Sequence, residues 1–223
     1  MLATLVAEPF SRENWIFEPK PDGVRCLVID SGKTPRLHSR NKRLLNETYP
    51  ELVAPLARQA VESYIVDGEI VAFEGAVTSF SQLQRRMQLR NPDEARRVGV
   101  EVFYYLFDLL YLNGYDLREA PLLHRKALLK EAFYFRDPLR YTEHQERDGE
   151  AYYRDAKRAN SIYVSRRWRD WLKIKCWEEQ EFIVGGFTDP KGTRVGSGAL
   201  LLGYYESGEL RYRKSSVLRL RRK

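Results

Sequence analysis

Polar and apolar positions alternate with a period of two over Trp15–Glu18 and Gly23–Ile29. The turn-forming Lys20-Pro21-Asp22-Gly23 lies between them, which predicts two strands with a tight connection. Residues 49–63 put Leu52, Leu56 and Val61 on one stripe with Pro50 near the start, the spacing of a helix. A β-rich run over Ile65–Phe73 follows, interrupted by Asp67-Gly68-Glu69, and Phe80, Leu83 and Met87 predict a helix over 80–89. Val100–Leu112 is almost unbroken in apolar and aromatic residues and ends at Asn113-Gly114, so it reads as a buried strand. Pro121–Phe133 reads as a helix, and residues 140–170 are too polar to show a period. Alternation returns at Trp171–Trp177. Glu181–Phe187, Ala199–Tyr205 and Glu209–Tyr212 then predict short antiparallel strands around glycine-bearing turns. The polar link Glu178-Glu179-Gln180 predicts a boundary, giving domains 1–177 and 178–223.

The 223 residues suffice for a real core without disulfide or metal staples. No apolar run approaches the roughly 18 residues of a membrane span, and the apolar start follows no basic region of the secretory type. Cys26 and Cys176 make neither a disulfide framework nor a zinc site, so a reducing, cytoplasmic setting is expected. His38, His124 and His144 are too scattered for a metal site, and no Gly-Lys-Ser/Thr phosphate loop occurs. The 38 basic and 31 acidic residues give +7, and this excess is local. Residues 157–175 hold seven cations against Asp170 alone, with Tyr163, Trp168 and Trp171 interleaved, a composition suited to a polyanion. Residues 211–223 carry seven more cations and no acid.

Three constellations could carry chemistry. Lys20 stands in a turn between strands, where desolvation and nearby cations could free its amine to act as a nucleophile. Asp67 and Glu69, two apart on a strand, share a face and would need a cation or donors if buried. Lys173 and Lys175 share the face opposite Leu172 and Ile174, a geometry that could grip phosphate oxygens. Taken singly, each is also what a solvated hairpin, an exposed sheet face or a surface strand looks like.

In order along the chain, these elements resemble the covalent nucleotidyltransferases, specifically ATP-dependent DNA ligases, and within them the ligase domain of the end-joining ligase D type. Glu18-Pro19-Lys20-Pro21-Asp22-Gly23-Val24-Arg25 resembles the nucleophile motif and Ser39-Arg40-Asn41 the next one. Asp67-Gly68-Glu69-Ile70-Val71, Tyr105-Leu106-Phe107-Asp108-Leu109-Leu110 and Trp171-Leu172-Lys173-Ile174-Lys175 resemble three more, and 79–86 and 182–187 are similar to this subfamily. The resemblance implies an α+β fold: an adenylation domain of antiparallel sheets with flanking helices, then an incomplete OB-fold barrel. It implies that Lys20 attacks the α-phosphate of ATP, that AMP passes to the 5′-phosphate of a nick, and that the 3′-hydroxyl displaces it. Glu18 would contact adenine, Arg25 and Arg40 ribose or phosphates, and Glu69 a ribose hydroxyl. Phe107 would stack on the base, and Lys157, Lys173 and Lys175 would bind the nucleotide. Asp67 and Glu69 would serve Mg²⁺ or Mn²⁺, and Arg40, Arg166, Arg167 and Arg169 would bind DNA.

The chain departs from the family where Tyr153-Arg154-Asp155-Ala156-Lys157 stands in place of a motif with a Glu-Gly pair before its lysine. Either that motif is shortened or a segment is missing between Ala156 and Lys157. The OB-type part also ends before the family's final motif. With no DNA-encircling domain ahead of residue 1, the resemblance implies a monomeric, nucleoid-associated minimal ligase acting on nicked double-stranded DNA, with Ku or a primase-polymerase as partners. An RNA ligase, a capping-type nucleotidyltransferase and a catalytically impaired nucleic-acid-binding relative remain as alternatives.

Overall fold

Strand β5 (Tyr64–Glu74) is the spine of the larger sheet, pairing antiparallel with β3 (Val24–Asp30) on one side and β7 (Val102–Leu112) on the other. In this computed structural model, residues 2–6, 10–147, 155–174, 183–188, 200–206 and 209–213 are described. The chain divides into two compact units, 1–176 and 177–223. The sheet runs β4 (Arg36–Ser39), β3, β5, β7, β8 (Tyr115–Asp116), with β6 (Val77–Thr78) on β5 and β9 (Leu139–Tyr141) parallel to β7. Val28, Val66, Ile70, Tyr104 and Leu106 supply its buried face. Leu52, Leu56, Leu83 and Leu129 cover that face, each worth about 1.5–3 kcal/mol of transfer free energy. Of the three tyrosines buried in this core, Tyr104 donates its hydroxyl to Cys26 O and Tyr64 to Leu56 O, both at 2.9 Å.

A second sheet, also in the first unit, has the order β1 (Leu2–Val6), β11 (Arg167–Ile174), β10 (Asp155–Arg158), β2 (Trp15–Glu18). β1 lies parallel to β11, so both sheets are mixed at their edges where antiparallel pairing was expected throughout. Ala156 and Lys157 are consecutive positions of β10, in register with β2 and β11. The second unit contributes three antiparallel strands in the order β12 (Ile183–Phe187), β13 (Leu200–Glu206), β14 (Glu209–Arg213), matching the strands expected of the OB-type part. No helix among the described residues is long and apolar enough to cross a membrane.

Three expectations change. The helix over 49–63 shrinks to a 3₁₀ turn (Pro50–Leu52) and α1 (Val53–Ala57). Leu52 and Leu56 are still buried, but the Asn113 carboxamide then accepts from the N–H groups of Glu62 and Ser63 and turns the chain into β5. β5 runs unbroken through Asp67-Gly68-Glu69 with a register shift against β7. Gly68 makes this possible: a Cβ there would lie 2.4 Å from Tyr105 O and 2.5 Å from the Tyr104 ring. The undecided stretch 140–170 contains β10 and the start of β11, which begins at Arg167 instead of Trp171. The helices α2 (Phe80–Met87) and α4 (Leu122–Ala132) fall where periodicity puts them. Between them α3 (Pro92–Arg97) is N-capped by Asn91 with Pro92 in its first turn.

Candidate active site

Lys20 lies on the short connection that carries the chain from β2 in one sheet to β3 in the other. The connection can pass this close to β5 because residue 23 is glycine, where a Cβ would lie 2.2 Å from Ile70 O. Lys20 faces a cavity of about 140 Å³ between the sheets. Glu18, Lys157, Trp171 and Lys173 line it from the four-stranded sheet, and Arg25, Glu69 and Phe107 from the larger one. The Lys20 ammonium makes one long contact, 3.5 Å to Pro21 O, and no ion pair among the described residues.

Three carboxylates line this cavity and a fourth, Asp67, lies behind Arg25; Glu18 and Asp67 are neutralised. Glu18 is buried between Lys126 (2.7 Å to Oε1) and Lys157 (2.5 Å to Oε2). Burial opposes its ionisation, but the two ammonium groups outweigh it and hold the carboxyl below the usual range. Asp67 is buried under Arg25, which donates from Nε at 2.9 Å and from a terminal nitrogen at 2.5 Å, while the Tyr163 hydroxyl donates to Oδ2 at 2.8 Å. Those cationic and hydroxyl donors overcome desolvation and depress its pKa. The Arg25 guanidinium lies 4.6 Å from the Trp171 ring centroid and 5.6 Å from that of Phe107. Lys157 lies 4.4 and 4.1 Å from the same rings.

The carboxylates of Glu69 and Asp155 have no hydrogen-bond or ion-pair partner among the described residues. Burial pushes Glu69 up to about 7, with Lys20 and Arg25 pulling the other way. Asp155 is likewise pushed up to about 6, against the pull of Lys157 and Lys20. Four buried polar atoms of residues lining the cavity make no hydrogen bond: Glu18 Oε1, which has only its ion pair with Lys126, and Thr142 Oγ1, Asp155 Oδ1 and Trp171 Nε1. Among the described residues no three His, Cys, Asp or Glu side chains converge as a metal cage.

Of the residues singled out in sequence, Glu18, Lys20, Arg25, Glu69, Phe107, Lys157 and Lys173 meet at this cavity, with Asp67 beneath Arg25. Arg40 lines an adjoining groove of about 540 Å³ that shares Arg25 and Glu69 with it. Arg166, Arg167 and Arg169 are exposed on and just before β11, outside both. Lys175 lies outside the described residues, as do Cys176 and the basic stretch beyond Arg213. Sequence reasoning missed Lys126, Thr142 and Asp155, and placed Tyr163 and Trp171 only among the aromatics interleaved with the cations of 157–175. Only Asp155 carried a hint, two places before Lys157 on what proves to be the same strand face.

The family model for the ATP dependent DNA ligase domain matches residues 1–154. The chain is 38% identical to the multifunctional non-homologous end joining protein LigD of Pseudomonas aeruginosa, over 94% of its own length and 26% of that protein's. It is 33% identical to LigD of Mycolicibacterium smegmatis, over 87% and 26%. The chain thus spans about a quarter of the length of these curated relatives. Among solved structures, mycobacterial DNA ligase D complexed with ATP and MES superposes with a TM-score of 0.61 at 30% identity, covering 98% of this chain and 73% of that one.

Proposed function

The chain belongs to the ATP-dependent DNA ligases, and from that membership we propose that it seals 3′-hydroxyl/5′-phosphate nicks in double-stranded DNA through a lysyl-AMP intermediate on Lys20. The observation that carries this is the convergence of Lys20, Glu18, Arg25, Glu69, Phe107, Lys157 and Lys173 on one cavity between two sheets. In the first step the Lys20 amine, once deprotonated, attacks the α-phosphorus of ATP. A P–N bond forms, the bond to the bridging oxygen breaks, and pyrophosphate leaves. Phe107 offers the base a ring face, Glu18 its polar edge, and Lys157 and Lys173 balance charge on the phosphorus. The nick's 5′-phosphate oxygen then takes the AMP from Lys20, and the 3′-hydroxyl displaces AMP to close the strand.

The cavity residues fit a divalent cation. Glu69 and Asp155 present carboxylates without a cation partner, and Mg²⁺ is commonly held by one or two carboxylates plus substrate phosphates. When bound, Mg²⁺ or Mn²⁺ would screen the triphosphate. Asp67 has both oxygens engaged by Arg25 and Tyr163, so its part is to orient Arg25 toward ribose or phosphate. Arg40 in the adjoining groove would meet the 5′-phosphate, and Arg166, Arg167 and Arg169 the flanking backbone. The chain would act as a monomer in the cytoplasm beside end-joining partners such as Ku or a primase-polymerase, whose grip on DNA would add to its own.

Sealing of a 5′-labelled nicked duplex with ATP, beside GTP and an RNA nick, tests this reading. ATP-dependent joining of the DNA nick is expected. Salt-sensitive binding of the nick with no joining, even of a pre-adenylated 5′-end, would make the chain a nucleic-acid-binding relative instead.

A further inference from the structure

Thr142 carries a hydroxyl that the folded chain does not use. It follows β9 directly, its N–H donates to Leu106 O at 2.8 Å, and its carbonyl accepts from Lys126 Nζ at 2.9 Å. The residue is 4% exposed and lines the Lys20 cavity, yet Oγ1 has no hydrogen-bond partner. Burying a hydroxyl without a partner costs free energy that an apolar side chain of the same shape would not. A ligand that supplies the partner accounts for it.

Its neighbours indicate which part of a ligand that is. Lys126, which holds the Thr142 carbonyl, also holds Glu18 Oε1 at 2.7 Å, and Leu106, which accepts the Thr142 N–H, precedes Phe107. Phe17 and Gln145 exchange backbone hydrogen bonds at 2.8 and 3.0 Å, tying the segment after Thr142 to the strand that carries Glu18. Thr142 is therefore tied on one side, through Lys126, to the Glu18 carboxylate and on the other to the strand that carries Phe107, and all three residues line the same cavity. A base stacked on Phe107 with its polar edge toward Glu18 would meet the Thr142 hydroxyl.

We propose that Thr142 reads the purine base: its hydroxyl accepts from the exocyclic 6-amino group and donates to the adjacent ring nitrogen, as one hydroxyl can. This rests on the Lys20 adenylation reading. A site built to hydrogen-bond a substrate group penalises the analogue that lacks it, because its own buried group is then left unpaired.

The test measures adduct formation by intact mass for the full chain, Thr142→Val and Thr142→Ser, with ATP and with purine riboside triphosphate, which lacks the amino group. Melting temperatures are measured alongside. Thr142→Val should raise the KM for ATP about tenfold with kcat within about twofold, and should cut the preference for ATP over the analogue about tenfold. Its melting temperature should equal or exceed that of the parent, and Thr142→Ser should restore both KM and preference. An unchanged KM and preference in Thr142→Val would overturn the proposal. So would a lowered melting temperature that Thr142→Ser repairs without any change in base preference, since the hydroxyl would then be structural. A parent chain that forms no adduct with either triphosphate fails the adenylation reading itself, whereas a parent that reacts and a Thr142→Val variant that matches it fail Thr142 alone.

Discussion

Lys157 on β10 places its ammonium 2.5 Å from Glu18 Oε2 on the neighbouring strand β2, although the two residues lie well apart in sequence. The second oxygen of Glu18 belongs to Lys126 of α4, so one buried carboxylate ties both lysines to the cavity floor. The same arrangement holds Lys157 against the faces of Phe107 and Trp171.

Glu18 is the one carboxylate between two buried ammonium groups, so removing it leaves both uncompensated, whereas removing Lys126 leaves the Glu18–Lys157 pair intact. Glu18→Gln should lower stability by about 3–5 kcal/mol in urea denaturation, and should cost less in a Lys126→Met background than alone. Additive losses would show that the groups are not coupled.

The Arg25–Asp67–Tyr163 assembly predicts a graded series. Tyr163→Phe removes one donor to a charged acceptor and should cost about 1.5–3 kcal/mol. Asp67→Asn leaves the Arg25 guanidinium short of its counter-charge and should cost more, about 3–5 kcal/mol. Equilibrium unfolding of the two variants checks the order.

Glu69 gives the fold a pH dependence of definite sign. Its carboxyl is pushed from 4.5 to about 7 in the folded chain, chiefly by burial, so the native state binds the proton more tightly than the unfolded state does. Stability from this group is therefore present below pH 4.5 and lost as pH rises through 7. Glu69→Gln should match the parent near pH 4 and exceed it near pH 8 by on the order of 1–3 kcal/mol. Equal stabilities at pH 8 would mean that Glu69 finds a cation or donors in the folded chain.

Gly23→Ala should cost about 1–3 kcal/mol and slow adduct formation, because the new methyl would press on Ile70 O and displace the Lys20 connection. Gly32→Ala serves as a control: its added Cβ would meet Glu62 O at an ordinary 3.4 Å, so its cost should come from its left-handed backbone alone, without an effect on the adduct.

Local patterns revealed the strands β3, β5 and β7 of the larger sheet and the helices α2 and α4, because alternation and the 3.6 period are written into consecutive residues. β1, β4, β6, β8, β9 and β10 escaped notice: each is short, and each is a strand through what it pairs with, as β1 does with β11 and β10 with β11 and β2. The over-long helix at 49–63 arose because Val61 packs on the same core as Leu52 and Leu56 without sharing their helix. Resemblance along the chain, not periodicity, drew together Lys20, Glu69, Phe107 and Lys173. The shared face of Asp67 and Glu69 was legible, but not that Arg25 would engage the first and leave the second without a cation partner. Lys126 and Thr142 were invisible, since one lysine among several basic residues of a helix and a threonine after a short strand acquire meaning only from what the fold sets opposite them.

The central claim is that Lys20 becomes covalently adenylylated. An intact-mass spectrum after incubation with ATP and Mg²⁺, compared with the chain as purified and with Lys20→Ala, tests it directly. An AMP-sized adduct on the parent, formed or already present, and absent from Lys20→Ala, is the predicted result. A parent that is neither loaded as purified nor loadable, or a Lys20→Ala variant that still carries the adduct, would contradict it.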